Sequence, residues 1–366
     1  MWELYAPRMA SILFTRGAPS LDIIDQEGLR DAAQKAFTDD PGGTFAYGTS
    51  VGYVPLRTWL AEQHGVAPEQ VLVTNGSMQA DAFLFELLVQ AGDDVVVEAP
   101  TYDRTLLNLR QRGAKIHAIE LETDGINVDA LEKLLESGVR PKLAHIIPNF
   151  HNPAGYTLSE AKRARLLDLA AKYDFVLFED DPYVKVRFEG EPLPTMLSQD
   201  KNEKVVYASS FSKTMAPGIR CGYLVGPKAV IKSVQDIATT TYISPNMVAQ
   251  SIVNSYCRSG RLDESVVNVR TALRARRDAL VAALQRELPE AVFTAPQGGY
   301  FMWVELPGVS IDKLVPVAKE HGVEFVKGSD FLLEGGDNAL RLAFSGVTPE
   351  QIDEGITRLG AAVRVL

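Results

Sequence analysis

Five stretches of this chain place polar or charged side chains directly after runs of apolar residues. After residues 71–73 comes Thr74-Asn75-Gly76-Ser77-Met78, a small-residue turn opening a helical pattern. Backbone N–H groups there, helped by the helix dipole, suit a phosphate. A plain strand–helix turn with Ser77 as N-cap would read the same way. After 94–98, Pro100-Thr101-Tyr102 brings in an aromatic ring, a residue that alone is more often a packing group. After 143–147, Pro148-Asn149-Phe150-His151-Asn152-Pro153-Ala154-Gly155 is a stiff loop holding an amide in one place. After 175–179 come Asp180-Asp181-Pro182-Tyr183. A carboxylate at the end of an apolar strand needs a cationic or N–H partner, whereas paired aspartates before a proline are otherwise often just solvated. After 205–208, Ser209-Ser210-Phe211-Ser212-Lys213-Thr214 is followed by Arg220. A partly desolvated lysine near a second cation can act as nucleophile or base, although a lysine in a Ser-rich loop is usually solvated.

These stretches gain weight from the elements that must position them. Strand-like runs at 71–73, 94–98, 115–120, 143–147, 175–179, 205–208 and 222–225 alternate with helical patterns such as 77–90, 102–112 and 159–173. Such alternation predicts a mostly parallel sheet covered on both faces. That sheet collects its ligand beyond the carboxyl ends of its strands. From about residue 263 the pattern becomes a long helix at 263–288, then mixed strands and helices, a smaller α+β unit. The expected division is a large domain over 40–262, with 1–39 and 263–366 forming a small domain.

All five motifs then fall on one sheet edge. A lysine, an aspartate, an asparagine, tyrosines, an arginine and a phosphate-suited helix start match what pyridoxal 5′-phosphate requires. The aldehyde takes an amine, the ring nitrogen a carboxylate and the 3′-oxygen neutral donors. The ring takes an aromatic neighbour, and the phosphate takes Arg, Ser and backbone N–H groups. Other chemistries lack support. There is no GxxxxGK[ST] and no GxGxxG, and the histidines 64, 117, 145, 151 and 321 are scattered. Cys221 and Cys257 form no CxxC pair and fit a reducing cytoplasm. The 366 residues carry a net charge of −10, against a nucleic-acid surface. Met1-Trp2-Glu3-Leu4-Tyr5 does not open a signal peptide, and no apolar run suits a membrane helix.

The chain resembles the class I and II aminotransferases, of the α/β fold called pyridoxal-phosphate transferase fold type I. Within them it is similar to the branch of 2-aminoadipate and aromatic aminotransferases and MocR-like regulators. The resemblance implies a large domain with a mostly parallel, seven-stranded type of sheet and a smaller α+β domain. Ser210-Phe211-Ser212-Lys213 resembles the family's S-F-x-K, making Lys213 the Schiff-base lysine and Ser210 a phosphate ligand. Arg220 resembles the phosphate arginine, and Ser77 and Met78 the phosphate amides. The D-x-x-Y spacing assigns Asp180 rather than Asp181 to the ring nitrogen and Tyr183 to the 3′-oxygen. Asn152, in Asn152-Pro153-Ala154-Gly155, resembles the asparagine that also bonds that oxygen. Tyr102 is placed like the ring-stacking aromatic. Tyr47 resembles the tyrosine that reaches the phosphate of a neighbouring subunit, implying a homodimer with shared sites. Arg341, in Leu340-Arg341-Leu342, resembles the arginine that grips the substrate α-carboxylate. Gly298-Gly299-Tyr300-Phe301-Met302-Trp303 resembles a structural stretch of the family.

Two positions depart from the branch: His151 stands where Gln is usual, and Arg16-Gly17 where Gly-Gly is usual. Arg16 either reaches an acidic substrate side chain or lies exposed on the arm. The implied activity is amino transfer between an L-amino acid and a 2-oxo acid, with glutamate and 2-oxoglutarate as one pair. A β-lyase, decarboxylase or racemase would share the cofactor residues. A cofactor-binding regulator would need a winged-helix segment ahead of the fold.

Overall fold

The computed structural model describes residues 10–366, so the reading of Met1–Tyr5 lies outside the described residues. A short strand, β1 (Ile12–Leu13), precedes the main sheet. That sheet is built from β2 (Val71–Thr74), β3 (Asp94–Ala99), β4 (Lys115–Glu122), β5 (Gly125–Ile126), β6 (Leu143–Ile146), β7 (Val176–Asp180), β8 (Val205–Ser210) and β9 (Gly222–Val225). Their order across the sheet is β2-β9-β8-β7-β6-β3-β4-β5. Seven of these match the predicted type of sheet. The eighth, β5, is a two-residue strand that folds back antiparallel on the end of β4, pairing Glu122 with Gly125.

Strands β4, β3, β6, β7 and β8 run parallel. Strand β9 runs antiparallel between β8 and β2, so β2 again points the same way as β8. An antiparallel return brings the chain back at the edge it left. The loop from β8 to β9, carrying Lys213 and Arg220, therefore stays at the carboxyl edge. Strands β2, β6, β8 and β9 are buried throughout, as strands covered on both faces must be.

A second sheet holds β10 (Val292–Phe293), β11 (Phe301–Glu305), β13 (Val326–Lys327) and β14 (Ala339–Ala343), in the order β10-β11-β14-β13. Between β11 and β13 lies β12 (Val323–Glu324), which pairs in parallel with β1. The N-terminal segment thus divides. Ile12 and Phe14 belong to the core of the second sheet. The helix Gln26–Asp39 packs instead on Met247–Arg258, with Ala32 in the same core as Val71 and Tyr207.

The helix Arg261–Glu287 is 27 residues long and serves both cores. Its Leu262 and Val266 lie with Val71 and Tyr223, whereas Val269, Leu273, Leu280 and Leu284 lie with β11 and β14. Among the described residues no helix is long and apolar enough to cross a membrane.

Candidate active site

Adjacent residues of a strand point to opposite faces, so only one of Asp180 and Asp181 can face the ligand. Asp180 does. It lines a cavity of about 520 Å³ at the carboxyl edge of the main sheet. It is 5% exposed, and its Oδ1 has no partner within the protein. The imidazole Nε2 of His145, on neighbouring β6, lies 3.4 Å from its Oδ2. Asp181 turns away and accepts a hydrogen bond from Asn149 Nδ2 at 2.9 Å. Burial, with Glu179 nearby, pushes Asp181 up to about 8.

The loop after β6 is fixed from below. Glu98, at the end of β3, accepts from the Ile147 N–H at 2.8 Å and lies 3.0 Å from His151 Nε2. His151 Nδ1 accepts from the Ala154 N–H at 3.3 Å. With His151 clamped, its neighbour Asn152 faces the cavity. Asn152 Oδ1 accepts a 2.9 Å hydrogen bond from Arg341 Nη1. Arg341 comes from β14, donates through Nη2 to Thr15 O at 2.7 Å, and lies over the Phe301 and Phe331 rings at 4.4 and 4.8 Å. Its Nε has no partner within the protein.

Lys213 ends a single turn of 3₁₀ helix, Phe211–Lys213, capped by the Ser210 side chain. Its Nζ donates to Gly17 O at 2.6 Å and sits 5.4 and 5.2 Å from the Tyr183 and Tyr300 ring centres. Tyr300 Oη donates to the Lys213 carbonyl at 2.6 Å, fixing the turn. Burial lowers the lysine to about 8, with Arg341 and Arg220 adding to the effect and Asp180 opposing it. Tyr183, in van der Waals reach of Phe301, is raised well above the ordinary tyrosine value by burial. Tyr102 is pushed up to about 12 by the same cause, so both phenols are neutral donors at neutral pH.

The remaining wall is the start of the helix Ser77–Leu88. Its N-cap is Gly76, not Ser77, and no side chain caps it. Gly76 has φ +86°, and a Cβ there would lie 2.3 Å from Arg220 Nη2. A Cβ on Gly222 would lie 2.5 Å from the Ser77 nitrogen. Both glycines thus keep open a recess lined by Ser77, Met78, Ser210, Ser212 and Arg220. Arg220, itself in the left-handed region at φ 48°, donates through Nη2 to Asn75 O at 3.3 Å.

The structure therefore brings Lys213, Asp180, Asn152, Tyr183, Tyr102, Ser77, Met78, Ser210, Arg220 and Arg341 to one cavity. It does not bring Tyr47 or Arg16 there: Tyr47 is 88% exposed, and the Arg16 side chain faces solvent while Thr15 and Gly17 line the wall. Ser212 and Asp81 also line it, unassigned by the sequence. Asp81 stands four residues after Ser77, a helical spacing that could have pointed to it. The unpartnered Oδ1 of Asp180, the unpartnered Nε of Arg341 and a glycine-kept recess beside an uncapped helix start fit a ring nitrogen, a carboxylate and a phosphate respectively.

Comparison with known proteins agrees with this geometry. The profile of the family described as "Aminotransferase class I and II" matches residues 12–359. The 2-aminoadipate transaminase of Thermus thermophilus is 34% identical over 366 residues, covering 98% of this chain and 91% of that protein. Aromatic-amino-acid aminotransferase 1 of Thermococcus litoralis is 33% identical over 361 residues, covering 95% and 87%. The crystal structure of an α-aminoadipate aminotransferase from Thermus thermophilus, complexed with N-(5′-phosphopyridoxyl)-L-leucine, superposes with a TM-score of 0.93 at 32% identity, over 97% of this chain and 92% of that one.

The fold and cavity are those of a fold type I transferase, and the chain belongs to the class I and II aminotransferases. It is a pyridoxal-phosphate-dependent aminotransferase.

Proposed function

We propose that Lys213 is the residue that bonds the cofactor and then moves the reacting proton. The observation that carries this reading is the Lys213 amine, partly buried and lowered to about 8, in one cavity with Asp180 and Arg341. Bound there, pyridoxal phosphate supplies an aldehyde carbon for an amine and a ring that draws electron density from the substrate Cα. Asp180 holds a proton on the ring nitrogen. Asn152 and Tyr183 would donate to the 3′-oxygen, and Tyr102 would face the ring. Ser77 and Met78 N–H groups, Ser210, Ser212 and Arg220 hold the phosphate. Arg341 binds the substrate α-carboxylate through a guanidinium fork matched to two oxygens. Lys213 would be placed to accept the substrate Cα proton as general base.

The substrates in this reading are an L-amino acid and a 2-oxo acid, glutamate and 2-oxoglutarate forming one pair. The relatives named for 2-aminoadipate and aromatic amino acids support a donor among those classes. We also propose a homodimer. Tyr47, exposed and outside its own cavity, then reaches the phosphate of the partner's site. Both cysteines are free and buried, which supports a reducing, cytoplasmic setting.

The test is the visible spectrum of the purified protein with a panel of amino acids. One donor should bleach the cofactor band stoichiometrically, and a 2-oxo acid should restore it. Lys213→Ala should abolish turnover. A variant that keeps ordinary transamination rates would remove Lys213 from its role, and release of ammonia or CO₂ would favour a lyase or decarboxylase.

A further inference from the structure

Tyr300 has no part in the roles above, yet its hydroxyl bonds the Lys213 carbonyl and its ring centre lies 5.2 Å from the Lys213 amine. The side chain is fully buried in the core of the second sheet. Phenylalanine would fill that space equally well, and the adjoining core residues Phe301 and Phe344 are phenylalanines. A buried hydroxyl is costly unless it has a partner, so the phenol is explained by the bond it makes rather than by packing.

That bond meets a need of the lysine turn. A single turn of 3₁₀ helix, Phe211–Lys213, ends with carbonyls that no further turn takes up. Side chains from elsewhere hold two of them: Tyr300 Oη donates to Lys213 O at 2.6 Å, and Ser265 Oγ, on the helix Arg261–Glu287, donates to Thr214 O at 2.9 Å. Tyr300 is itself built into the strand pair that carries Arg341. Its carbonyl accepts from the Phe344 N–H at 3.0 Å, and in the register that follows Phe301 pairs with Ala343 and Trp303 with Arg341. One hydroxyl therefore joins the lysine turn of the main sheet to β11 and β14 of the second. Around the amine stand Arg341 from β14, Asp180 from β7, Arg220 ahead of β9, and the rings of Tyr183 and Tyr300. Arg276, from the helix Arg261–Glu287, acts on Tyr300 electrostatically, but its guanidinium is committed to Ser345 O and Asp22.

We propose that Tyr300 is a positioning residue for amino transfer: its hydroxyl ties the Lys213 turn to the strand pair carrying Arg341 and so fixes the amine against the guanidinium. The groups that take the substrate's proton and its carboxylate then keep one relative placement. This rests on the roles given above to Lys213 and Arg341.

The test compares the intact protein with two variants. Tyr300→Phe keeps the ring in the core and removes only the hydroxyl, whereas Ser265→Ala frees the neighbouring carbonyl and leaves Tyr300 in place. The first reading is the rate at which cofactor-free protein captures pyridoxal phosphate as pH is varied. The second is kcat and KM with L-glutamate as amino donor. In Tyr300→Phe a loosened amine meets more water, so the capture midpoint should move upward from about 8 by about one pH unit. Loss of the hydrogen bond should lower kcat about tenfold while KM stays within about threefold. Ser265→Ala should match the parent in both readings. Tyr300→Phe matching the parent overturns the inference, as does a rise in KM with kcat unchanged. Equal losses in Ser265→Ala overturn it too, because they trace the effect to a loosened loop rather than to Tyr300. Turnover retained by Lys213→Ala overturns the assignment of the lysine itself; an inactive Lys213→Ala beside an unaltered Tyr300→Phe overturns the tie alone.

Discussion

Arg341 and Asn152, 189 residues apart in sequence, share a 2.9 Å hydrogen bond across the mouth of the cavity. One comes from the small sheet and the other from a loop of the large sheet. The bond orients the guanidinium, whose buried Nε has no partner within the protein.

Arg341→Lys keeps the charge but loses the fork. We expect kcat/KM for the amino donor to fall roughly 100-fold, as expected when a two-point, charge-assisted contact is reduced to one. Steady-state kinetics with the donor found in the panel checks this. A fall of less than threefold would place the carboxylate elsewhere.

The pH at which the protein captures its cofactor should report Lys213. Only the neutral amine attacks an aldehyde, and burial brings its ionisation down to about 8. The capture rate by cofactor-free protein should therefore rise with pH up to about 8 and then level off. A lysine of ordinary value would keep gaining up to about 10.4. Stopped-flow absorbance distinguishes the two profiles.

Gly76→Ala should damage phosphate binding and little else. The new methyl meets Arg220 at 2.3 Å on a backbone at φ +86°. Cofactor affinity should fall by about tenfold or more, with much of the activity regained at high cofactor concentration. Equal affinity in the variant would mean that Arg220 has room to move.

Asp181 offers a prediction about stability. Its carboxyl group titrates at about 8 in the fold, against an ordinary value near 4 in the unfolded chain. The folded state thus holds a proton that the unfolded state has lost, and this group weakens the fold as pH rises from about 4 to about 8. Asp181→Asn should raise stability by on the order of 2 kcal/mol at pH 8 and by little at pH 4. Denaturant titrations at both pH values test it, and an equal effect at each would remove the proton from the account.

The parts of the site that the sequence reveals are local ones. Lys213, Asp180, Asn152 and Tyr102 each follow directly on an apolar strand, so strand direction alone delivers them to one edge. What stayed hidden depends on distant packing. The helix Gln26–Asp39 settles on Met247–Arg258, more than two hundred residues away, and no local pattern says so. Asp81 was easy to pass over because a carboxylate in a helical pattern ordinarily faces water; its spacing from Ser77 was the one local hint that this one turns inward. The two-residue strands β5 and β13 are too short to leave any periodicity.

The helix Arg261–Glu287 contributes Leu262 to one core and Leu280 to the other. Each residue of an α-helix turns its successors by about 100°. A single insertion between those two leucines would swing the second set of buried residues toward water while the first stayed in place. An insertion of four would restore the facing but lengthen the helix by about 6 Å. This helix therefore cannot drift in length over evolutionary time as a surface loop can. Added or lost residues cost this fold least at the ends of the chain and in connections such as that between β7 and β8.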